Sequence, residues 1–326
     1  MAQSGNNKLV TVFGGSGFLG RHVVRALAKR GYRVRVAVRR PDLAIHLQPL
    51  GGVGQIQAVQ ANLRFRWSVD RAVEGAHHVV NLVGILHESG SQNFDSVQEF
   101  GARAIAEAAR AAKAGLTHVS AIGADKDSKS DYARTKGMAE AAVLETVKTA
   151  VILRPSIIFG PEDGFFNKFA AMARYSPVLP LIGGGETRFQ PVYVGDVAEA
   201  IVRSVEGQVP GAKVYELGGS EVRSFKELMQ ETLTVTERKR ILLPIPFWAA
   251  KIIGSVAGLL PSPQLTRDQV ILLESDNVVS DKAIKDGRTL EGLGITPRTM
   301  EAILPSYLWR FRARGQYPAA SSSNAA

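Results

Sequence analysis

Gly14-Gly15-Ser16-Gly17-Phe18-Leu19-Gly20 lies between a short apolar run, Lys8 to Phe13, and a segment with Leu19, Val23 and Leu27 at helical spacing. Gly14, Gly17 and Gly20 stand three residues apart. In a strand–turn–helix setting the first permits a tight turn. The second lets the backbone approach a pyrophosphate, and the third lets helix and strand pack closely. The helix that starts here offers free N–H groups and the positive end of its dipole to the anion. A glycine-rich turn with no ligand has the same spacing. The context favours a phosphate cradle of Gly14, Ser16, Gly17, Phe18, Leu19 and Gly20: strand before, helix after, inside a β-α-β unit.

Working outward, strands and helices alternate. Phe18–Lys29 reads as a helix and Tyr32–Val38 as a strand. Gln55–Val59 and His77–Val83 are further strand candidates. Phe94–Lys113 carries Phe94, Val97, Gly101, Ile105 and Ala108 along one helical stripe. Leu116–Ser120 reads as a strand and Tyr132–Val147 as an Ala-rich helix. Val151–Phe159 reads as a strand stopped by Gly160-Pro161. Alternation with near-continuous apolar strands predicts an α/β chain with a doubly wound parallel sheet covered on both faces. Beyond Gly160 the pattern is broken by Pro177, Pro180, Pro191 and the Gly183-Gly184-Gly185 loop. The expected organisation is a disordered end at 1–7, a nucleotide-binding domain at 8–160 to which later segments return, a smaller α/β lobe at 161–315 that receives substrate or partner, and a disordered Ala/Ser-rich tail at 316–326.

Composition narrows the chemistry. The chain has 326 residues, 45% hydrophobic and 21% charged, which suits a globular fold. It has no cysteine, so disulfides, thiolate metal sites, Fe–S ligation and cysteine nucleophiles are excluded. Its six histidines are scattered, and His77 and His78 would point to opposite faces of a strand, so no metal site is expected. No targeting segment is expected, because the run Leu9–Phe13 is too short for a signal-peptide core. The most apolar window, Ile241–Leu260, is broken by Pro244 and Pro246 and carries Lys251, so it makes a poor membrane span.

Charge is uneven. Net charge is +10, and residues 1–41 hold nine basic residues and no acid. Arg21, Arg25 and Lys29, at i, i+4 and i+8, read as a solvated helix face. Arg39 and Arg40 stand at the end of the second strand, where an NAD site places an acid for the ribose 2′-hydroxyl. Guanidinium there suits a 2′-phosphate instead, predicting NADP(H) over NAD(H). Nucleic acid is not expected, since no recognition motif or aromatic platform accompanies the charge.

Tyr132-Ala133-Arg134-Thr135-Lys136 puts a tyrosine and a lysine on one helix face. Lys136 would stabilise the tyrosinate, lower the pKa of Tyr132 and make it a general acid/base, while also reaching the cofactor ribose.

Gly14-x-x-Gly17-x-x-Gly20 with Tyr132-x-x-x-Lys136 resembles an extended or atypical short-chain dehydrogenase/reductase, which implies a Rossmann-like fold. Asn81-Leu82-Val83-Gly84 stands where that superfamily lines the adenine and ribose. Asn62 and Leu63 stand near the adenine, and Ser120 ends the fifth strand. Arg154-Pro155-Ser156-Ile157-Ile158-Phe159-Gly160 resembles the superfamily's stretch beside the nicotinamide. Val192–Ala198 resembles its segment in which an Asp, here Asp196, starts a helix as its cap. In the later half, Gly160–Asn167, Leu265–Val270 and Ser275–Val279 resemble relatives of the NADPH-binding accessory subunit of respiratory complex I. The resemblance runs from about Lys8 to about Arg312. It implies tightly bound, mainly structural NADPH, complex I subunits as partners, and a cytoplasmic protein peripheral to the respiratory inner membrane.

One departure bears on activity. Active members carry a Ser or Thr third in the run Ser120-Ala121-Ile122, where this chain has Ile122, which cannot donate a hydrogen bond. Asn62 stands where relatives carry Asp, a change the amide tolerates. Tyr193 replaces the usual His without a consequence that follows from its chemistry.

Two apolar–basic segments concern partners. Phe247–Leu260 reads as an apolar helix of 14 residues. A globular protein normally buries such a helix in its lobe or a subunit contact; the alternative is a surface for lipid or a hydrophobic partner. Trp309–Arg314 mixes rings and guanidiniums and suits an anionic interface, or is a solvated helix end. Two functions therefore stand. One is an NADPH-binding protein that supports a respiratory complex or its assembly. The other is an active NADPH-dependent reductase or epimerase on a hydrophobic carbonyl, quinone or isoprenoid-type substrate, with Tyr132 as proton donor and Lys136 as its activator.

Overall fold

The computed structural model describes residues 7–86, 88, 93–258 and 265–315. The expectations for residues 1–6 and for the tail from 316 lie outside the described residues.

Strands β1 (Leu9–Phe13), β2 (Arg33–Val38), β3 (Ile56–Gln60), β4 (His78–Asn81), β5 (Gly115–Val119) and β6 (Val151–Pro155) alternate with helices. These are α1 (Phe18–Lys29), α2 (Arg66–Val73), α3 (Phe100–Ala111) and α4 (Asp131–Thr146). Then come β7 (Ile158–Phe159), α5 (Phe166–Tyr175), β8 (Val178–Ile182), β9 (Arg188–Phe189), β10 (Val192–Tyr193), α6 (Val194–Val205) and β11 (Lys213–Leu217). The last part holds β12 (Arg223–Ser224), α7 (Phe225–Val235), β13 (Ile241–Ile245), α8 (Phe247–Ala257), α9 (Arg267–Leu272) and three shorter helices.

Seven strands form one parallel sheet in the order β11-β6-β5-β4-β1-β2-β3. The chain moves outward from β1 through β2 and β3, then returns to start β4 on the other side of β1. That reversal opens a crevice at the carboxyl ends of β1 and β4, the place where such sheets bind ligands. Side-chain alternation along β1 serves both faces. Val10 and Val12 pack with Val23, Leu27 and Ile201 on one, and Phe13 packs with Val69, Ile105 and Val143 on the other.

Two elements differ from the sequence expectation. The strand expected over Val151–Phe159 breaks after Pro155: the Ser156 amide donates to Leu217 O, and β7 leaves the sheet to pair with β10. The helix expected from Phe94 begins with a π-helical turn, Asp95–Glu99, before α3 takes over. Such turns recur beside functional sites.

The later elements build a second core around Phe159, Phe166, Phe225, Leu228 and Tyr307. Tyr307 donates to the buried Asp163 at 2.6 Å, and Asp163 accepts the Phe165 amide at 2.9 Å. Of the two kinds of burial the sequence favours for Phe247–Leu260, in the lobe or in a subunit contact, the first does not hold. In α8 only Ala250 and Gly254 are buried, and Leu259 and Leu260 lie outside the described residues. No helix among the described residues is long and apolar enough to cross a membrane.

Candidate functional site

The glycine turn closes on itself tightly. Gly14 adopts φ +76°, and a Cβ there would lie 3.3 Å from the carbonyl carbon of Leu82, so β1 and β4 end against each other. A Cβ on Gly20 would lie 2.3 Å from Gly14 O, closer than any side chain can come. Gly17 caps α1 with no side chain over the helix end. The amides of Phe18, Leu19 and Gly20, in the first turn, are thereby left for an outside acceptor. Ser16 is part-exposed on the rim of the turn. Phe18 sets its ring edge-on to His22, whose Nε2 is 3.1 Å from Glu162 Oε2, while Leu19 packs on the core.

The arginines at the end of β2 divide. Arg40 donates to Asp42 at 2.7 Å and 3.3 Å, so its charge is matched. Arg39 is exposed and has no hydrogen bond or ion pair among the described residues. Two other arginines of the basic N-terminal region are paired from later in the chain: Arg30 with Glu199 and Glu206, and Arg21 with Glu162. At the end of β3, Asn62 Oδ1 accepts the Arg64 amide at 3.2 Å, which leaves the side-chain NH2 as a donor. Leu63 packs on Gly101, where a Cβ would lie 2.6 Å from Leu63 Cδ1. Val83 N donates to Asn81 Oδ1 at 3.0 Å, which holds the Leu82-Val83-Gly84 turn beside the cradle.

Tyr132 and Lys136 both rise from α4 beside the ends of β4 and β5. Lys136 is buried, donates to Val119 O at 3.2 Å, and lies against Gly84, where a Cβ would be 3.2 Å from Nζ. Burial pushes the Lys136 ammonium down to about 8, with Glu140 opposing the shift. Tyr132 is half-buried, with its ring edge-on to Phe94 at 6.1 Å. The expectation that Lys136 lowers the pKa of Tyr132 is overturned here. Burial pushes the phenol up to about 12, and the nearby carboxylate of Asp268 adds to the rise.

Ser120 points a buried hydroxyl with no partner into the same region. Two residues earlier, His118 Nδ1 accepts from Asn81 Nδ2 at 3.0 Å, so its neutral ring carries the proton on Nε2, which is buried and unpartnered. Burial, helped by Lys136, pushes that imidazole down to about 3. Gln98, on the π-helical turn, donates to Ile85 O and leaves its own Oε1 buried and unpartnered. Orphaned polar atoms beside a glycine cradle fit a dinucleotide and a small polar group next to it.

Ile122, where an active relative would carry a hydroxyl, packs with Val279 and Ala283. Its backbone is held by Asn277, whose Nδ2 donates to Ile122 O at 3.2 Å. Asn277 also takes the Ser156 hydroxyl on Oδ1 at 2.6 Å. Ser156 therefore has only backbone to offer the site, with Pro155 before it and Ile157 and Ile158 packed into the cores behind. Arg154 is an anchor: it forks onto the buried Glu140 at 2.8 and 2.6 Å and ties α4 to β6.

Residue-by-residue reading misses Asp268, Asn277, Gln98 and Glu140 as parts of this site. Asp268 and Asn277 do lie in the two later segments, Leu265–Val270 and Ser275–Val279, and both reach back to the sheet. Glu140 stands four residues after Lys136, on the same face of α4. Within Trp309–Arg314 two guanidiniums are tied to the lobe: Arg310 donates to Asn167 Oδ1, and Arg312 donates to Val235 O and pairs with Glu237.

The profile of the NAD dependent epimerase/dehydratase family matches residues 10–218. The chain is 35% identical over 321 residues to the mitochondrial NADH dehydrogenase (ubiquinone) 1 alpha subcomplex subunit 9 of Arabidopsis thaliana, covering 94% of this chain and 79% of that one. It is also 35% identical over 242 residues to the ceramide reductase of Caulobacter vibrioides, covering 73% and 74%. Among solved structures, an NADPH-dependent quinone oxidoreductase of Escherichia coli complexed with NADPH superposes with a TM-score of 0.70. That match has 19% identity and covers 92% of this chain and 98% of that one.

Proposed function

The chain belongs to the NAD dependent epimerase/dehydratase family, and we propose that it binds NADP(H) as a mainly structural cofactor in support of respiratory complex I or its assembly. The observation that carries the structural role is Ile122. The position that would present a donor to a substrate carbonyl is filled by an aliphatic side chain packed on Val279 and Ala283. Similarity to the alpha subcomplex subunit over 94% of this chain supports the respiratory setting.

In this reading the first turn of α1, opened by Gly14, Gly17 and Gly20, holds the pyrophosphate. Arg39 faces the 2′-phosphate, because Arg40 is already matched by Asp42. Asn62, Leu63, Leu82, Val83 and Gly84 enclose the adenosine. Ser120, Tyr132, Lys136 and the Pro155–Ile158 backbone border the nicotinamide. Bound only by the folded protein, the nucleotide stabilises it in proportion to its affinity. The protein then works at the cytoplasmic face of the respiratory membrane.

A second reading, an NADPH-dependent reductase or epimerase on a hydrophobic carbonyl, is favoured by the intact Tyr132/Lys136 pair and the free Ser120 hydroxyl. NADPH would supply the hydride. Tyr132, holding its proton until about pH 12, would donate it to the carbonyl oxygen, and Ser120 would orient that oxygen. The ceramide reductase relative supports a lipid-like substrate for this alternative.

The deciding experiment identifies the nucleotide in freshly purified protein and times its exchange with labelled NADPH. Retention for hours with no change of redox state supports the structural role. Exchange in seconds, with oxidation by carbonyl or quinone substrates that Tyr132→Phe abolishes, overturns it in favour of the enzyme.

A further inference from the structure

After Phe247, which packs on the Ile182, Ala250 and Val270 cluster, α8 turns its large apolar side chains outward. Trp248, Ile252 and Val256 repeat every four residues along one stripe and are 69%, 60% and 66% exposed, with Ile253 beside them. The small residues face inward. At Gly254 a Cβ would lie 2.9 Å from the Arg267 amide, so this side of the helix is pressed onto the start of α9. The strand leading into α8 behaves alike. Ile241 and Leu243 share one face of β13 and are 65% and 50% exposed, while Leu242 turns into the lobe. Single exposed apolar residues are ordinary, but six within sixteen residues of chain mark an interaction surface.

The charge beside this surface says what it meets. Arg238, Lys239 and Arg240 run directly into Ile241. Arg240 donates to Ala173 O at 2.8 Å, which brings it to the end of α5, where Arg174 and Tyr175 are both exposed. None of Arg174, Arg238, Lys239 and Arg240 has a carboxylate partner among the described residues. By contrast, Arg30, Arg66, Arg154 and Arg188 each pair with a carboxylate. Within this cluster the neighbours of Arg238 are the like charges of Arg240 and Arg174. The face is a projecting helix stripe with a tryptophan, flanked by a tyrosine and unmatched guanidiniums. In lipid, apolar side chains enter the acyl boundary, Trp and Tyr rings sit at headgroup depth, and cations meet phosphates.

We propose that β13 and α8 dock on an anionic lipid bilayer, with Trp248, Ile252, Ile253 and Val256 inserted and the Arg174–Arg240 cluster on the headgroup phosphates. This deepens the membrane-side part of the proposed function and rests on that reading for its setting. Trp309–Arg314 is left out of this face, since Arg310 and Arg312 are held by Asn167, Val235 and Glu237.

The test uses the full chain with phosphatidylcholine vesicles, with and without phosphatidylglycerol. Binding is measured by flotation, and tryptophan emission and nucleotide content are measured on the same samples. The expected result is binding to the anionic vesicles only, weakened by salt, with a blue shift that Trp248→Phe removes. Ile252→Ser with Val256→Ser, and separately Arg174→Glu with Lys239→Glu, should each weaken binding at least about tenfold while leaving fold and nucleotide content unchanged. These side chains are exposed, so the variants fold. Equal binding to neutral vesicles, unchanged binding by the serine variant, or no binding to either vesicle overturns the proposal. So does a dimer that the serine variant dissociates, which would make the occupant a second copy. Loss of nucleotide from protein that still floats counts against the cofactor reading alone.

Discussion

The carboxylate of Asp268 accepts the backbone amide of Tyr132 at 3.3 Å, across 136 residues of chain. The same carboxylate accepts the Asp131 amide at 2.8 Å and the Ser130 hydroxyl at 2.9 Å. Ser130 is itself the cap of α4, accepting the Ala133 amide. The start of the helix that carries Tyr132 and Lys136 is therefore held from the second lobe, by a residue on the helix that packs under the exposed α8. A negative charge at this helix start also favours the dipole and adds to the burial that raises the Tyr132 phenol.

Asp268→Ala should therefore act on stability and on titration together. Loss of the buttressed cap should cost about 1–2 kcal/mol in denaturant unfolding. Burial, the larger cause, remains, so the Tyr132 phenol should fall only part of the way from about 12, read from its ultraviolet ionisation against Tyr132→Phe. The sign of the linkage follows. With the folded pKa raised, the contribution of Tyr132 is full below pH 10 and is lost as pH rises toward 12. That loss should be absent in Tyr132→Phe and smaller in Asp268→Ala. A variant with unchanged phenol ionisation would show that the carboxylate acts on the cap alone.

Gly17 and Gly20 should separate ligand from fold. At Gly20 a Cβ meets Gly14 O at 2.3 Å and the Gly15 backbone at 2.6 Å, so Gly20→Ala must force the turn apart. It should lose about 1–3 kcal/mol of stability without any nucleotide present. At Gly17, φ is −75° and a Cβ lies 3.3 Å from Gly14 O, a fit that small shifts satisfy. Gly17→Ala should keep the apo-protein's melting temperature within a few degrees and lose nucleotide affinity. Equal thermal losses in both variants would mean that Gly17 is not at the ligand.

Much of the frame was legible in the residues themselves. α1 spans Phe18–Lys29 as read, because the glycine turn marks its start and an apolar stripe marks its face. What was not legible depends on groups far apart in sequence. The break after Pro155 rests on Asn277, which takes the Ser156 hydroxyl from 121 residues away. The pKa of Tyr132 is set by burial and Asp268, not by the lysine four residues on. α8 is apolar enough to be buried, and only the placement of α9 against its small residues decides which side shows. The pairing of Arg40 with Asp42 was within reach, since the two stand two residues apart.

That pairing gives a prediction on cofactor choice. Arg39→Ala should weaken NADPH more than tenfold while changing NADH little, because a charge-assisted contact to the 2′-phosphate is worth about 1.5–3 kcal/mol. Arg40→Ala should change either affinity less than threefold, since its guanidinium already serves Asp42. Titration calorimetry with both nucleotides on apo-protein decides it. Equal weakening of NADH and NADPH by Arg39→Ala would place that arginine away from the 2′ position.

Lys136 should show the reverse of the usual cost of replacing a buried residue. Its folded pKa, about 8, lies below the ordinary value of 10.5, so the unfolded chain binds the proton more tightly. Stability therefore rises with pH between about 8 and 10.5 as the buried ammonium is relieved. Lys136→Met keeps most of the volume and removes the charge, giving up one bond to Val119 O. In the absence of nucleotide the variant should be more stable than the parent at pH 7, by on the order of 3 kcal/mol at most. That advantage should shrink through pH 8–10 and vanish above it, measured as denaturant midpoints on matched samples. Nucleotide retention should fall at the same time, as the proposed contact of Lys136 with the cofactor ribose requires. A variant less stable at every pH would show that the Lys136 ammonium is already satisfied in the apo-protein.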